Sequence, residues 1–258
     1  MSSLALVTGA SSGIGAAFAR RLAADGYDLL LVARRRERLE ALAASLPGTE
    51  SHVVTADLAT DEGIDTVAAV CASRPLAMLV NNAGVAHYMP MDQLPAARAR
   101  ELLSVKVTAP VILTRAALPG MLARGAGTVV NVAGMLAFSG PSAQKAGRAV
   151  YTGTLAHAVA MSQTLHTELA GTGVRVHVVC PGIVATEFHT VQGLDLSAVP
   201  RMAPEDVVTA ALAGIELGET VSAPGVEDYG LLRAVFAADL DAFGAQSPRL
   251  ASRYRRAT

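Results

Sequence analysis

Apolar residues fall along this chain in short unbroken runs, separated by longer segments in which they recur every three or four positions. The runs lie near residues 4–8, 28–33, 51–56, 76–81, 127–132, 174–180 and 220–223 and are rich in Val, Leu and Ala. Runs of that length predict strands buried on both faces. The segments near 13–25, 35–45, 61–73, 96–123, 149–170 and 204–217, with a further one near 228–242, show the one-sided spacing of helices. Gly26, Gly48, Gly171 and Gly218 follow such segments, where a left-handed residue ends a helix. Strand alternating with helix predicts repeated crossover units. We therefore expect one α/β domain over 1–258, a single doubly wound parallel sheet of about seven strands with helices on both faces. A ligand in such a sheet sits along the edge formed by the carboxyl ends of the strands.

Two stretches leave this rhythm. Residues 184–203, of mixed polarity between the sixth strand and the next helix, read as a lid over the ligand crevice, with Phe188, His189, Val191, Leu194 and Leu196 as candidate substrate contacts. Residues 248–258, which include Arg249, Arg253, Arg255 and Arg256, read as a mobile tail.

Composition narrows the partners. The chain has 258 residues, 52% of them hydrophobic, and a net charge of −1, which gives no electrostatic reason to expect nucleic acid or a membrane surface. The run Leu29–Ala33 is cut short by Arg34-Arg35-Arg36, no run reaches bilayer length, and the N-terminus enters a strand without a leader. The expected setting is the cytoplasm. Cys71 and Cys180 read as small core residues of a reducing compartment, and no metal site is expected, because His157, His166 and His177 fit helix or strand surfaces and lack partners at ligand spacing. Of 21 basic side chains, only Lys106 and Lys145 are lysine.

The candidate chemistry begins at Thr8-Gly9-Ala10-Ser11-Ser12-Gly13-Ile14-Gly15, a tight turn from the first strand into the first helix. Its glycines permit positive φ and close backbone approach, and the helix start aims unpaired N–H groups at an anion such as a pyrophosphate. This block resembles the cofactor signature of the short-chain dehydrogenase/reductase family, whose fold is Rossmann-type. The resemblance continues through Asp57-Leu58, Asn81-Asn82-Ala83-Gly84, and Pro181-Gly182-Ile183-Val184 with Thr186. It implies that Gly9, Ser11, Ser12, Gly13, Ile14, Gly15, Asp57, Leu58, Asn82, Ala83, Gly84, Pro181, Gly182, Val184 and Thr186 line a dinucleotide site. The second strand ends without a carboxylate and is followed by Arg34 and Arg35, a guanidinium pair suited to a 2′-phosphate, so the expected cofactor is NADP(H).

The family's chemistry is hydride transfer assisted by Tyr, Lys, Ser and Asn. Tyr151 matches the Tyr, but the Lys position holds Leu155, the Ser position Gly134 and the Asn position Lys106. The interval from Gly134 to Tyr151 is longer than the family's, so residues 139–148 read as an insertion. Tyr151 is the expected proton donor and Ser139 or Ser142 a substitute hydroxyl; Lys106 either restores a cation beside Tyr151 or snorkels to solvent, and Lys145 decorates the insertion. His87 and Tyr88 join the candidate substrate contacts. Three functions follow from the resemblance: an NADP(H)-dependent reductase of a carbonyl or imine in a hydrophobic small molecule, a non-redox cyclase, isomerase or dehydratase, or an inactive NADP(H)-binding sensor. A homodimer or homotetramer, paired through the helices at 96–123 and 149–170, is also implied.

Overall fold

The computed structural model describes residues 3–142 and 147–255, so Lys145 lies outside the described residues. Two compact units divide after Gly225. In the first, the elements run β1 (Ser3–Thr8), α1 (Gly13–Ala24), β2 (Tyr27–Ala33), α2 (Arg36–Ala44), β3 (Ser51–Thr55), α3 (Asp61–Ser73), β4 (Leu76–Asn81) and α4 (Ala96–Leu103). After a π-helical turn over Ser104–Thr108 come α5 (Ala109–Arg124), β5 (Gly127–Val132), α6 (Ala149–Glu168), β6 (Val174–Val179), the short α7 (Phe188–Val191), α8 (Pro204–Glu216) and β7 (Val221–Ser222). The second unit holds α9 (Gly230–Gly244) and a 3₁₀ turn over Ser252–Tyr254.

The seven strands form one parallel sheet in the order β3-β2-β1-β4-β5-β6-β7. Side chains that alternate along each strand feed two cores, as burial on both faces demands. Ala5, Val7, Leu29, Leu31 and Val80 face Phe18, Leu22, Leu39, Val207 and Ala211 of α1, α2 and α8. Leu4, Leu6, Leu30, Val32 and Leu79 face Ile64, Val67, Leu113 and Met121 of α3 and α5. Full burial of such a side chain is worth about 1.5–3 kcal/mol. Chain order reverses between β1 and β4, so the crevice that takes a ligand opens at their carboxyl ends.

The helix expected at 96–123 forms, but with a π turn in its middle. Pro110 has no N–H to return to the Lys106 carbonyl, and the Ala109 N–H reaches back five residues to Ser104 instead. The whole stretch Ala96–Arg124 spans 29 residues and its best window has a mean hydropathy of 1.3. By length and composition it is long and apolar enough to cross a membrane, which corrects the expectation from the apolar runs. Its inner face, with Leu113, Ala117 and Met121, is nevertheless spent on the sheet. His177, expected on a surface, is 1% exposed: its ring nitrogens lie 2.8 Å from the Glu219 carbonyl and 2.8 Å from Ser222 Oγ, tying β6 to β7.

The excursion at 184–203 is pinned at its neck. Val184 bridges Met202, with Ala185 N–H donating to the Met202 carbonyl and Met202 N–H to the Ile183 carbonyl, both at 2.9 Å. The chain between them carries α7, a helix that its mixed polarity did not signal.

Candidate active site

The turn after β1 is built to hold an anion. The Ser12 hydroxyl makes no capping bond to α1, and the first turn of that helix has no acidic side chain, so its leading N–H groups stay open. The turn is also too tight for side chains. A Cβ on Gly9 would lie 2.8 Å from Asn82 Nδ2, and one on Gly13, at φ +54°, would lie 2.9 Å from Thr186 Cγ2. The Gly15 Cβ would collide with the Gly9 carbonyl. The glycines thus let the β1 turn pack against the segment after β4 on one side and the segment after β6 on the other.

Thr8 welds the first of these contacts. Its Oγ1 donates to the Val80 carbonyl at 3.2 Å and accepts from the N–H groups of Asn82 and Ala83 at 2.9 and 3.0 Å, while Asn82 Nδ2 donates to the Thr8 carbonyl at 2.9 Å. Behind it, buried Asn81 donates to Thr114 Oγ1 and Asn131 Oδ1, and Asn131 donates to Ser162 Oγ, which links β4, β5, α5 and α6.

Around these turns lies a cavity of about 840 Å³. Every predicted cofactor residue except Gly15, which packs under the turn, lies in its wall. At one end the β2–α2 turn presents Arg34 and Arg35, and the segment after β3 presents Asp57. Arg35 donates to Ser11 Oγ at 2.9 Å and to Ser12 Oγ at 3.0 Å. The Glu187 carboxylate reaches into this basic corner, 2.6 Å from Arg35 and 2.8 Å from Arg38. Burial would raise the Glu187 carboxyl, but hydrogen bonds from Arg38, Arg35 and Ser12 outweigh it and hold the group down at about 2. An internal anion resting on two guanidiniums and a serine hydroxyl indicates that the corner fits a phosphate.

At the other end stand Tyr151, Leu155, Lys106, Gly134, Tyr88, Phe188 and His189. Phe188 covers Tyr151 with ring centroids 6.4 Å apart, and His189 meets Phe188 edge-on at 5.4 Å. Val191, Leu194 and Leu196 complete the roof. Lys106 is buried, and its ammonium donates to the Val132 carbonyl at 3.1 Å. Burial pulls its pKa down to about 8, against a small upward effect of Cys180. Burial likewise pushes the Cys180 thiol up to about 12, moderated by a hydrogen bond from the Gly134 backbone N–H and by Lys106. Tyr151 is shifted upward, first by burial and then by Tyr88. Among the described residues, the groups that act on the Tyr151 phenol do not include a cation.

The sequence matches the short chain dehydrogenase family over residues 3–195. The chain belongs to that family. Sulfoacetaldehyde reductase 2 of Chromohalobacter salexigens is 35% identical over 196 residues, covering 74% of this chain and 77% of the relative. A short-chain dehydrogenase of Sphingobium yanoikuyae in complex with NADPH superposes with a TM-score of 0.92 at 32% identity, covering 98% of this chain and 100% of the other. The bulky-bulky ketone specific alcohol dehydrogenase of Comamonas testosteroni gives 0.88 at 29% identity, with 98% of each chain covered.

Within the family frame, the structure gathers the predicted cofactor residues and most of the predicted substrate residues, and leaves three candidates aside. His87 turns from the cavity to Glu101, 2.9 Å away. Ser139 Oγ donates to the Leu136 carbonyl at 2.8 Å, and neither it nor Ser142 lines the cavity, because the chain after β5 winds into a 3₁₀ turn that carries both outward. Lys106 does reach the cavity wall, but with its hydrogen bond to Val132. Sequence reasoning missed Glu187, Arg38 and Arg148. Glu187 stands next to Thr186, and an acid placed there opposite a run of arginines was the available signal.

Proposed function

We propose that the protein is an NADP(H)-dependent oxidoreductase that reduces a carbonyl or imine in a hydrophobic small molecule. The observation that carries this reading is the single cavity with a phosphate-fitting corner at one end and a buried phenol at the other. When bound, the dinucleotide supplies a hydride. The chain's own residues do the rest. The β1–α1 turn, Arg34, Arg35 and Arg38 take the phosphates; Asp57, Leu58, Asn82, Ala83 and Gly84 line the adenosine side; Pro181, Gly182, Val184 and Thr186 position the nicotinamide end. Tyr151 holds the proton that goes to the substrate oxygen, and its raised pKa keeps it a donor throughout the physiological range. Lys106, positive below about pH 8, lends charge to the wall where the oxyanion develops. Phe188, Val191, Leu194 and Leu196 exclude water and favour an apolar substrate.

Buried Leu155, whose side chain lies against Gly134, supports a second reading in which the same site runs a non-redox conversion. NADPH absorbance with acetophenone, benzophenone and their imines decides between them. Oxidation of NADPH supports the reductase, and substrate conversion without absorbance change supports the alternative. Calorimetric binding of NADPH with neither leaves a sensor. The enzyme is cytoplasmic on this reading, its two buried cysteines being free, and it assembles as a homodimer or homotetramer. Leu103 and Leu122, exposed on α4 and α5, are the apolar surface available to that contact.

A further inference from the structure

Tyr88 and Tyr151 stand together in the cavity wall, ring centroids 5.5 Å apart and planes at 89°. Each phenol acts on the other's proton: Tyr151 favours the ionised form of Tyr88, and Tyr88 disfavours that of Tyr151. Tyr151 is buried, whereas Tyr88 is partly exposed and Arg148 lies close enough for its charge to act on the Tyr88 phenol. The pair is therefore graded from a dry end to a wet, cationic end.

This placement is held from both sides of Tyr88 in the chain. His87 is fixed to Glu101 of α4 at 2.9 Å. On the other side, Gly147 at φ +55° lets the chain entering α6 close on Met89 and Pro90; a Cβ there would lie 2.9 Å from the Pro90 nitrogen and 3.0 Å from the Met89 carbonyl carbon. Arg148 follows that glycine directly, and Tyr151 lies in the first turn of α6. The contact that presents Arg148 to Tyr88 is the one that clamps the loop carrying Tyr88 over Tyr151.

We infer that Tyr88 is a positioning residue that reprotonates Tyr151, so that the proton used in reduction enters through Tyr88 and Arg148 rather than through positions 155 and 106. The inference rests on the reductase reading. In the step, the Tyr151 O–H bond breaks as its proton passes to the substrate oxygen, leaving a phenolate. The Tyr88 hydroxyl then passes its proton to that phenolate. The Tyr88 phenolate, facing the Arg148 guanidinium, takes a proton from a water molecule, whose hydroxide passes to the solvent, and the neutral pair is restored. One proton moves from solvent to substrate, and no electrons move along the path. The positions that carry the family's Lys and Asn do not serve here: Leu155 is apolar and buried, and the Lys106 ammonium is engaged by the Val132 carbonyl.

The chain has five tyrosines, so the ring ζ-carbons of a ¹³C-labelled sample give five signals assignable by single substitutions. Tyr88→Phe should move the Tyr151 signal and Tyr151→Phe the Tyr88 signal, leaving Tyr27, Tyr229 and Tyr254 in place. In NADPH-dependent reduction of acetophenone, Tyr88→Phe should lower kcat about 10- to 100-fold with KM changed less than about twofold, and should alter the solvent isotope effect on kcat. Should Tyr88→Phe fail to fold, Arg148→Gln should lower kcat several-fold with KM held. Absence of reciprocal NMR shifts, an unchanged kcat, or a loss confined to KM overturns the relay. Reciprocal shifts in a protein that oxidises no NADPH with any ketone support the coupled pair and overturn the reductase reading instead.

Discussion

Replacing Lys106 with Met should make the protein more stable near neutrality. The lysine is 8% exposed, and burial displaces its pKa from 10.5 to about 8. A displacement of that size weighs about 3 kcal/mol against the charged form. Met has a similar length and needs no solvation, and exchanging a buried charge for an apolar side chain is commonly neutral or favourable. The variant loses the 3.1 Å bond to the Val132 carbonyl, a cost of about 1 kcal/mol, which leaves a gain of about 2 kcal/mol. For a chain of this size the melting temperature should rise by about 4–8 °C. The sign of the pH dependence follows from proton binding. Between about 8 and 10.5 the unfolded lysine holds a proton that the folded one has released, so the stability of the parent climbs across that window. The advantage of Lys106→Met is therefore full below about pH 8 and shrinks toward pH 10.5. Urea and thermal unfolding of both proteins at intervals from about pH 6 to about pH 10 read this directly. A variant less stable than its parent at neutral pH, or a gap that stays constant with pH, refutes the placement of the ammonium in a dry wall.

Glu187→Gln removes the anion that rests on Arg35 and Arg38; since such half-exposed pairs are worth about 1 kcal/mol or less each, NADPH should bind about 3- to 10-fold tighter, and calorimetry that shows weaker binding would count against a shared phosphate corner. Thr8→Val, nearly isosteric, strips the acceptor from the Asn82 and Ala83 N–H groups and should cost about 2–3 kcal/mol in urea unfolding while weakening NADPH binding. Gly134→Ser should fold normally, because its φ of 169° is ordinary extended backbone and the new Cβ meets Leu155 at 3.4 Å and the Pro181 carbonyl at 3.5 Å. A further hydroxyl at the reacting end should then raise kcat about tenfold, measured as NADPH oxidation.

Much of the architecture could be read in advance because strands buried on both faces leave an unmistakable trace: Leu29 to Val32 must satisfy two cores at once, and few polar residues survive there. The close approach at the β1 turn was readable too, since a Cβ on Gly9 would meet the Asn82 side chain and Ala83 backbone, one on Gly13 the Thr186 side chain, and one on Gly15 the Gly9 carbonyl. The reacting end was not. Whether Lys106 reaches Tyr151 depends on the pitch of one turn, and the π turn over Ser104–Thr108 arises where Pro110 withholds a donor. Tyr88 could be placed near the substrate by its distance from the Asn81–Gly84 turn, but its ring contact with Tyr151 goes with Gly147 meeting Pro90, a contact between segments far apart in the chain. The buried Asn81–Asn131–Ser162 chain of hydrogen bonds was hidden for the same reason.

The paired neck at Val184 and Met202 separates two kinds of change. Everything beneath it belongs to the sheet and answers to close packing, where a single methyl group is felt. Everything above it is a closed loop whose ends are already joined, and the entropy of such a loop grows only with the logarithm of its length. Apart from Thr186 and Glu187, which meet the β1 turn, Arg35 and Arg38, the residues between the two pins can thus be lengthened, shortened or exchanged with little strain passed to the strands below. The outer roof of the cavity is free to diversify while its floor stays fixed.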